Sequence, residues 1–144
     1  MKNLLILIGA GLLGAGASAQ MTPVGTWRSI DDATGKPRAE IAIRDAGNGT
    51  LVGRVERSLQ ATSTEPLCTL CTDDRKGQPK IGMEIIRDAR QSGSEAVWEG
   101  GSILDPENGK LYKLRLAPQD GGKTLQVRGY IGPFFRNQIW QRVQ

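Results

Sequence analysis

Cys68-Thr69-Leu70-Cys71 is where residue type and spacing in this 144-residue chain point most directly to chemistry. A C-x-x-C pair can be a disulfide, a thiol–disulfide redox couple, or half of a metal site. A redox couple of thioredoxin type needs its first thiolate at a helix N-terminus within a βαβ unit, and the flanking sequence supplies none. A tetrahedral zinc site needs four ligands. With no His and no further Cys, two of them would have to be carboxylates. In an oxidising compartment the default is a disulfide, worth ~2 kcal/mol for so small a ring by the chain-entropy argument. The expectation is a structural Cys68–Cys71 bond, with the redox and metal roles as alternatives.

The lack of histidine excludes much else. Ser-His and Cys-His nucleophile pairs and every His-ligated metal site are removed at once. Asp73, Asp74, Glu84, Asp88, Glu95 and Glu99 are numerous, yet no two of them have a spacing that specifies general acid–base work. Asp105-Pro106-Glu107-Asn108-Gly109-Lys110 lacks the spacing and the distal Glu of a calcium loop. Its Asn-Gly reads as a hairpin turn. The chemistry therefore points to a protein that is not an enzyme and carries neither cofactor nor metal.

The elements that would position any site are short and β-like. Gly, Asn and Pro punctuate the chain every few residues, and the segments between them alternate with period two. Ala39, Ile41 and Ile43 fall on one face, opposite Glu40 and Arg44. After the Gly47-Asn48-Gly49 turn, Leu51 to Glu56 completes a hairpin. Tyr112, Leu114 and Leu116 oppose Lys113 and Arg115, and Leu125, Val127, Gly129 and Ile131 oppose Gln126, Arg128 and Tyr130. Ile139 and Val143 oppose Trp140 and Arg142. Eight strands are expected, over 23–30, 38–45, 50–58, 82–87, 95–103, 110–117, 123–131 and 138–143, with a helical turn as the alternative for Ile81 to Ile86. Such a pattern argues for an antiparallel sandwich or barrel. One long irregular stretch remains, Leu59 to Lys80, and it holds both cysteines.

Residues 1–19 read as a secretory signal peptide. Lys2 precedes an apolar run from Leu4 to Leu13, and Ala17-Ser18-Ala19 supplies the small-x-small cleavage site. The Gly/Ala-rich tail is too weakly hydrophobic for a transmembrane anchor. The expected product is one periplasmic or secreted domain, 20–144, with no transmembrane span. Of 19 Lys and Arg only Lys2 lies in the leader, so 18 bases face 15 acids and the net charge is +3. The charges are scattered and mixed in sign, which argues against a nucleic-acid partner.

Several motifs recur together. They run from Gly25-Thr26-Trp27 and Gly53-Arg54-Val55 to Cys68-x-x-Cys71 with Asp74-Arg75-Lys76-Gly77, and on to Gly82-Met83. Next come Trp98-x-Gly100-Gly101-x-Ile103-x-Asp105-Pro106 and Gly109-Lys110-x-Tyr112, and finally Val127-Arg128-Gly129-Tyr130 and Trp140-x-Arg142. In these the chain resembles the bacterial exported family known as domain of unknown function 2147 (DUF2147). The resemblance implies an all-β fold, an antiparallel lipocalin-like (calycin) barrel of about eight strands. It also implies that the Trp of G-x-W packs against an Arg of the last strand, here Trp27 and Arg142, to close one end.

By analogy of fold alone, such a barrel binds a small amphipathic molecule without catalysis. The expected lining residues are Met83, Trp98, Tyr112, Arg128 and Tyr130. If Arg54, Arg115 or Arg128 faced inward, the cavity would be polar and its ligand anionic, and one register slip reverses that assignment. The alternative function is a cell-envelope protein-interaction module that acts through the disulfide-pinned loop 59–80, helped by an exposed Gly132-Pro133-Phe134-Phe135 turn.

Overall fold

Alternating side chains make a strand bury one face, and here eight such strands bury theirs against one another. The computed structural model describes residues 21–60 and 65–144, so the stretch 1–19 expected to be a signal peptide and residues 61–64 of the long loop lie outside the described residues. The strands are β1 (Gly25–Ile30), β2 (Pro37–Asp45), β3 (Thr50–Ser58), β4 (Glu84–Gln91), β5 (Trp98–Asp105), β6 (Lys110–Gln119), β7 (Thr124–Ile131) and β8 (Phe134–Arg142). Each pairs antiparallel with the next, and β8 returns to β1, which makes a closed barrel. Full closure leaves no unpaired edge strand.

Closure is narrow. Only Trp27↔Arg142 and Arg28↔Gln141 pair between β1 and β8. Thr26 N–H adds a bond to Gln144 O at 2.9 Å, and Val143 N–H adds one to Thr26 O at 2.8 Å.

The inward faces are those the alternation predicts: Ile41 and Ile43 on β2, Leu114 and Leu116 on β6, Leu125 and Val127 on β7, all buried. Burying each such side chain contributes about 1.5–3 kcal/mol. On β8 the inward face carries Trp140, which is buried, while Ile139 is exposed. Several strand boundaries shift from expectation, most of all in β4, β5 and β8. β4 begins after the turn at Gly82 (φ +86) and continues through Asp88, whose φ of 63 marks an irregularity that an Asp tolerates. The alternative helical turn at Ile81–Ile86 does not form, since Ile85 and Ile86 lie in β4. β5 begins at Trp98 rather than 95, and β8 begins four residues early, at Phe134.

The up-and-down order sorts the connections into two ends. One end holds the β1–β2, β3–β4, β5–β6 and β7–β8 connections. The other holds the remaining turns and the start and finish of the barrel itself. Among the described residues no helix is long and apolar enough to cross a membrane.

Candidate functional site

The two ends are filled differently. At the end near β1's start, Trp27 is fully buried and its Nε1–H donates to Pro23 O at 2.7 Å. The Arg142 guanidinium lies over the indole, 4.2 Å from the ring centroid. It donates to the backbone carbonyls of Gly122 (2.6 Å), Val24 (2.9 Å) and Thr22 (2.7 Å). Desolvation by burial lowers the Arg142 pKa, and the three carbonyls replace the water that burial removes. This end is plugged.

At the other end the barrel contains a cavity of about 570 Å³, within the usual range for small-molecule sites. Its deep wall is apolar, built from Ile41, Val55, Ile85, Ile103, Val127 and Trp140. Nearer the opening it carries Ser29, Tyr112, Arg136 and Gln138, and the rim adds Asp31, Arg38, Lys80, Asp105 and Glu107. The rim charges are largely paired: Arg38 with Asp105 at 3.6 Å, Lys80 with Glu107 at 3.1 Å, and Arg136 with Asp32 through two bonds of 2.5 and 3.0 Å. Burial raises the Asp32 pKa, but the bonds from Arg136 outweigh it and the net shift is downward. The same contact raises Arg136.

Polar groups deeper in are also matched. Trp140 Nε1–H donates to Gln138 Oε1 at 2.9 Å, and Ser29 Oγ exchanges bonds with the Ala39 backbone at 3.1 and 3.2 Å. The space is thus an apolar cup with a hydrogen-bonding shoulder and an ionic lip. Gly129 helps keep it open, because a Cβ there would press on Tyr112, 3.1 Å from its Cβ.

A family model described as "Uncharacterized protein conserved in bacteria (DUF2147)" matches residues 25–142. The chain belongs to the DUF2147 family. Among solved structures it is similar to protein HP1028 from the human pathogen Helicobacter pylori, described as belonging to the lipocalin family. The TM-score is 0.70 at 16% identity, over 84% of this chain and 82% of that one. At that identity the likeness concerns the fold, and it agrees with the closed eight-stranded barrel. No curated protein matches the chain.

In this DUF2147 barrel Cys68 and Cys71 are disulfide-bonded and buried. The segment around them is a small appendage stitched to itself: Cys68 N–H donates to Gln78 O, Gly77 N–H to Cys68 O, and Lys80 N–H to Pro66 O, all within 2.9 Å. It docks on the β5–β6 turn, where Cys68 Sγ lies 3.4 Å from Pro106 O. Gly109, at φ +73, passes so close that a Cβ would run into the Leu70 carbonyl oxygen. Two arginines fasten the loop to β4, Arg75 from the loop and Arg87 from the strand. Buried Arg75 binds Asp73 and donates to Glu84 O at 2.8 Å, while Arg87 grips Asp74 through two bonds of 2.9 Å. The Arg75 bonds hold the Asp73 carboxyl down at about 2, against 3.8 ordinarily. The loop supplies Pro66, Lys80 and Ile81 to the cavity, so it forms part of the mouth.

Of the five expected lining residues, Tyr112 lines the cavity and four do not. Met83 precedes β4 and is buried in the packed core. Trp98 pairs with Leu116 toward the plugged end. Arg128 and Tyr130 sit on the β7 face opposite Val127 and Gly129, outside the barrel, where Arg128 lies 4.4 Å over the Phe135 ring and bonds Asn137. Arg54 and Arg115 also face outward, bonded to Glu84 and Gln126. The cavity's cationic shoulder is Arg136, which the sequence reading passed over together with Gln138. Stepping back by twos from Trp140 along β8 reaches both.

Proposed function

We propose that this protein is a periplasmic or secreted binding protein that holds one small amphipathic molecule in the barrel and performs no catalysis. The observation that carries the reading is the apolar cup of about 570 Å³ beneath a hydrogen-bonding shoulder. An apolar ligand body would pack on Ile41, Val55 and Ile103, with its polar or anionic head at Arg136, Gln138 and Ser29. Because Asp32 already pairs with Arg136, an anionic head competes with that carboxylate, while a neutral hydrogen-bonding head does not. The lipocalin-like fold supports the same reading by analogy. The leader at 1–19 supports export.

The test is to titrate the purified protein with the fluorescent amphiphile anilinonaphthalene sulfonate, wild type against Ile103→Trp, which fills the cup. Wild type saturates at one probe per chain, and the variant binds at least about tenfold more weakly. Equal binding by both contradicts the cavity as the site. The second reading, a protein-interaction module acting through loop 59–80, draws on the exposed Leu67 and Leu70 of that loop. It predicts a specific envelope protein captured by wild type and lost when that loop is altered.

A further inference from the structure

Among the described residues, seven of the eleven exposed large apolar side chains stand at the mouth end: Leu67, Leu70, Ile81, Leu111, Ile131, Phe134 and Phe135. At the plugged end the exposed ones are Met21, Val24 and Val143. Phe134, at 76% exposure, is the most exposed of all and sits at the tip of the β7–β8 hairpin. Leaving that ring in water costs free energy that a soluble monomer does not recover.

The tip is rigidly presented. Phe135 packs on Tyr130 with ring centroids 5.9 Å apart, under the Arg128 guanidinium. Strand alternation then places Phe134 on the other side of β8, the side of the mouth. Arg136 fastens the neighbouring β1–β2 turn through Asp32.

Charge around the tip leans positive. Of the carboxylates at this end, Asp32, Asp105 and Glu107 are each paired with an Arg or Lys, while Asp31 accepts from the backbone N–H groups of Ala33 and Thr34. Lys36 in the β1–β2 turn and Lys110 and Lys113 on β6 form no ion pair among the described residues. They flank the hairpin on both sides, and Lys113 stands in register with Tyr130, which is itself paired with Phe135. Apolar side chains at the apex with lysines set behind them match the layering of a bilayer surface, acyl region first and anionic headgroups behind.

We infer that the mouth of the barrel docks on an anionic phospholipid bilayer through Phe134 and its apolar neighbours, with Lys36, Lys110 and Lys113 on the headgroups. Docked this way, the cavity opens toward the lipid, and an amphipathic ligand passes between bilayer and cup without crossing water. This role for the surface rests on the cavity reading above, but docking itself has a separate readout.

The experiment is flotation of the purified protein with vesicles of phosphatidylglycerol and phosphatidylethanolamine, compared with pure phosphatidylcholine. Wild type, Phe134→Ser, Lys110→Glu and Ile103→Trp are tested, each first shown to fold by circular dichroism. Wild type floats with the anionic vesicles. Phe134→Ser lowers the bound fraction about tenfold, Lys110→Glu lowers it about fivefold, and Ile103→Trp floats as wild type. The inference is overturned if wild type stays in the lower fraction. It is equally overturned if Phe134→Ser floats like wild type, or if Ile103→Trp is the variant that abolishes flotation. Should flotation follow the expected order while Ile103→Trp still binds anilinonaphthalene sulfonate normally, docking stands and the cavity reading falls.

Discussion

Within β8, two neighbouring stretches show how differently the two ends of this barrel are made. Trp140 and Arg142 are packed into the plugged end, the first buried at 2% exposure and the second laid over Trp27 and bonded to three carbonyls. Two and four residues earlier, Gln138 and Arg136 occupy the same inward face and border open space. The pairing with β7 runs unbroken from Phe134 to Gln141. What differs is the facing side chains. Trp140 stands opposite Leu125, whereas Gln138 and Arg136 stand opposite Val127 and Gly129, smaller residues that leave volume unfilled. A barrel of eight strands is at the size where side chains can either fill it or leave room for one ligand. This chain does one at each end.

The contrast can be broken from the plugged side. Trp27→Ala removes the ring under Arg142 and opens a void in packed core, so thermal unfolding should show a loss of about 3–5 kcal/mol and a midpoint about 10 °C or more lower. A shift of only a degree or two would mean that the plug is not where the barrel's stability is concentrated. By comparison, Ile103→Trp at the mouth should cost less than about 2 kcal/mol, because it enters space already present.

A smaller effect is expected where the disulfide loop meets the mouth. Gly109→Val forces a Cβ against the Leu70 carbonyl at a φ that a β-branched residue resists, and should cost about 1–3 kcal/mol. The loss should appear as increased amide exchange at Cys68 and Gly77, with protection at Trp27 and Leu125 retained. Uniform loss of protection across the barrel would show that loop and plug are one cooperative unit.

The smallest effect is set by pH. The folded Asp73 carboxyl is held at about 2 by Arg75, below its ordinary 3.8. A depressed carboxylate contributes stability that is fully present above about pH 4 and is lost as pH falls toward 2. Asp74, held down by Arg87, acts in the same direction. The plugged end is fastened by Arg142 to backbone carbonyls, which do not titrate in this window. Amide chemical shifts at Cys68 and Gly77 should therefore move between pH 4 and 2, ahead of those around Trp27. Simultaneous movement of both would contradict the separation.

Much of the architecture was readable from alternation. Inward faces such as Leu114/Leu116 and Leu125/Val127 and the Gly47-Asn48-Gly49 hairpin follow from patterns a few residues long, whereas the Trp27–Arg142 contact was implied by the family resemblance. The cavity was less legible, for two physical reasons. Choosing large residues as lining favoured Trp98 and Met83, yet large side chains fill a barrel, and the cavity lies where small ones such as Gly129 and Ser29 face inward. Arg136 and Gln138 were missed because Phe134-Phe135-Arg136-Asn137 shows no alternation of apolar with polar residues. Its inward face borders the cavity rather than packed core, so hydrophobic periodicity carries no signal there. The docking of the Cys68–Cys71 loop onto Gly109 joins residues nearly forty positions apart, which no local pattern encodes.

The central claim, a cup built to hold one amphipathic molecule, is tested most directly by native mass spectrometry of the protein purified from the cell envelope. Wild type is run beside Ile103→Trp, and each is then denatured to release what it carries. The account predicts one small amphiphile per wild-type chain and none in the variant. A wild-type chain that is empty, and that also fails to take up anilinonaphthalene sulfonate, would contradict it.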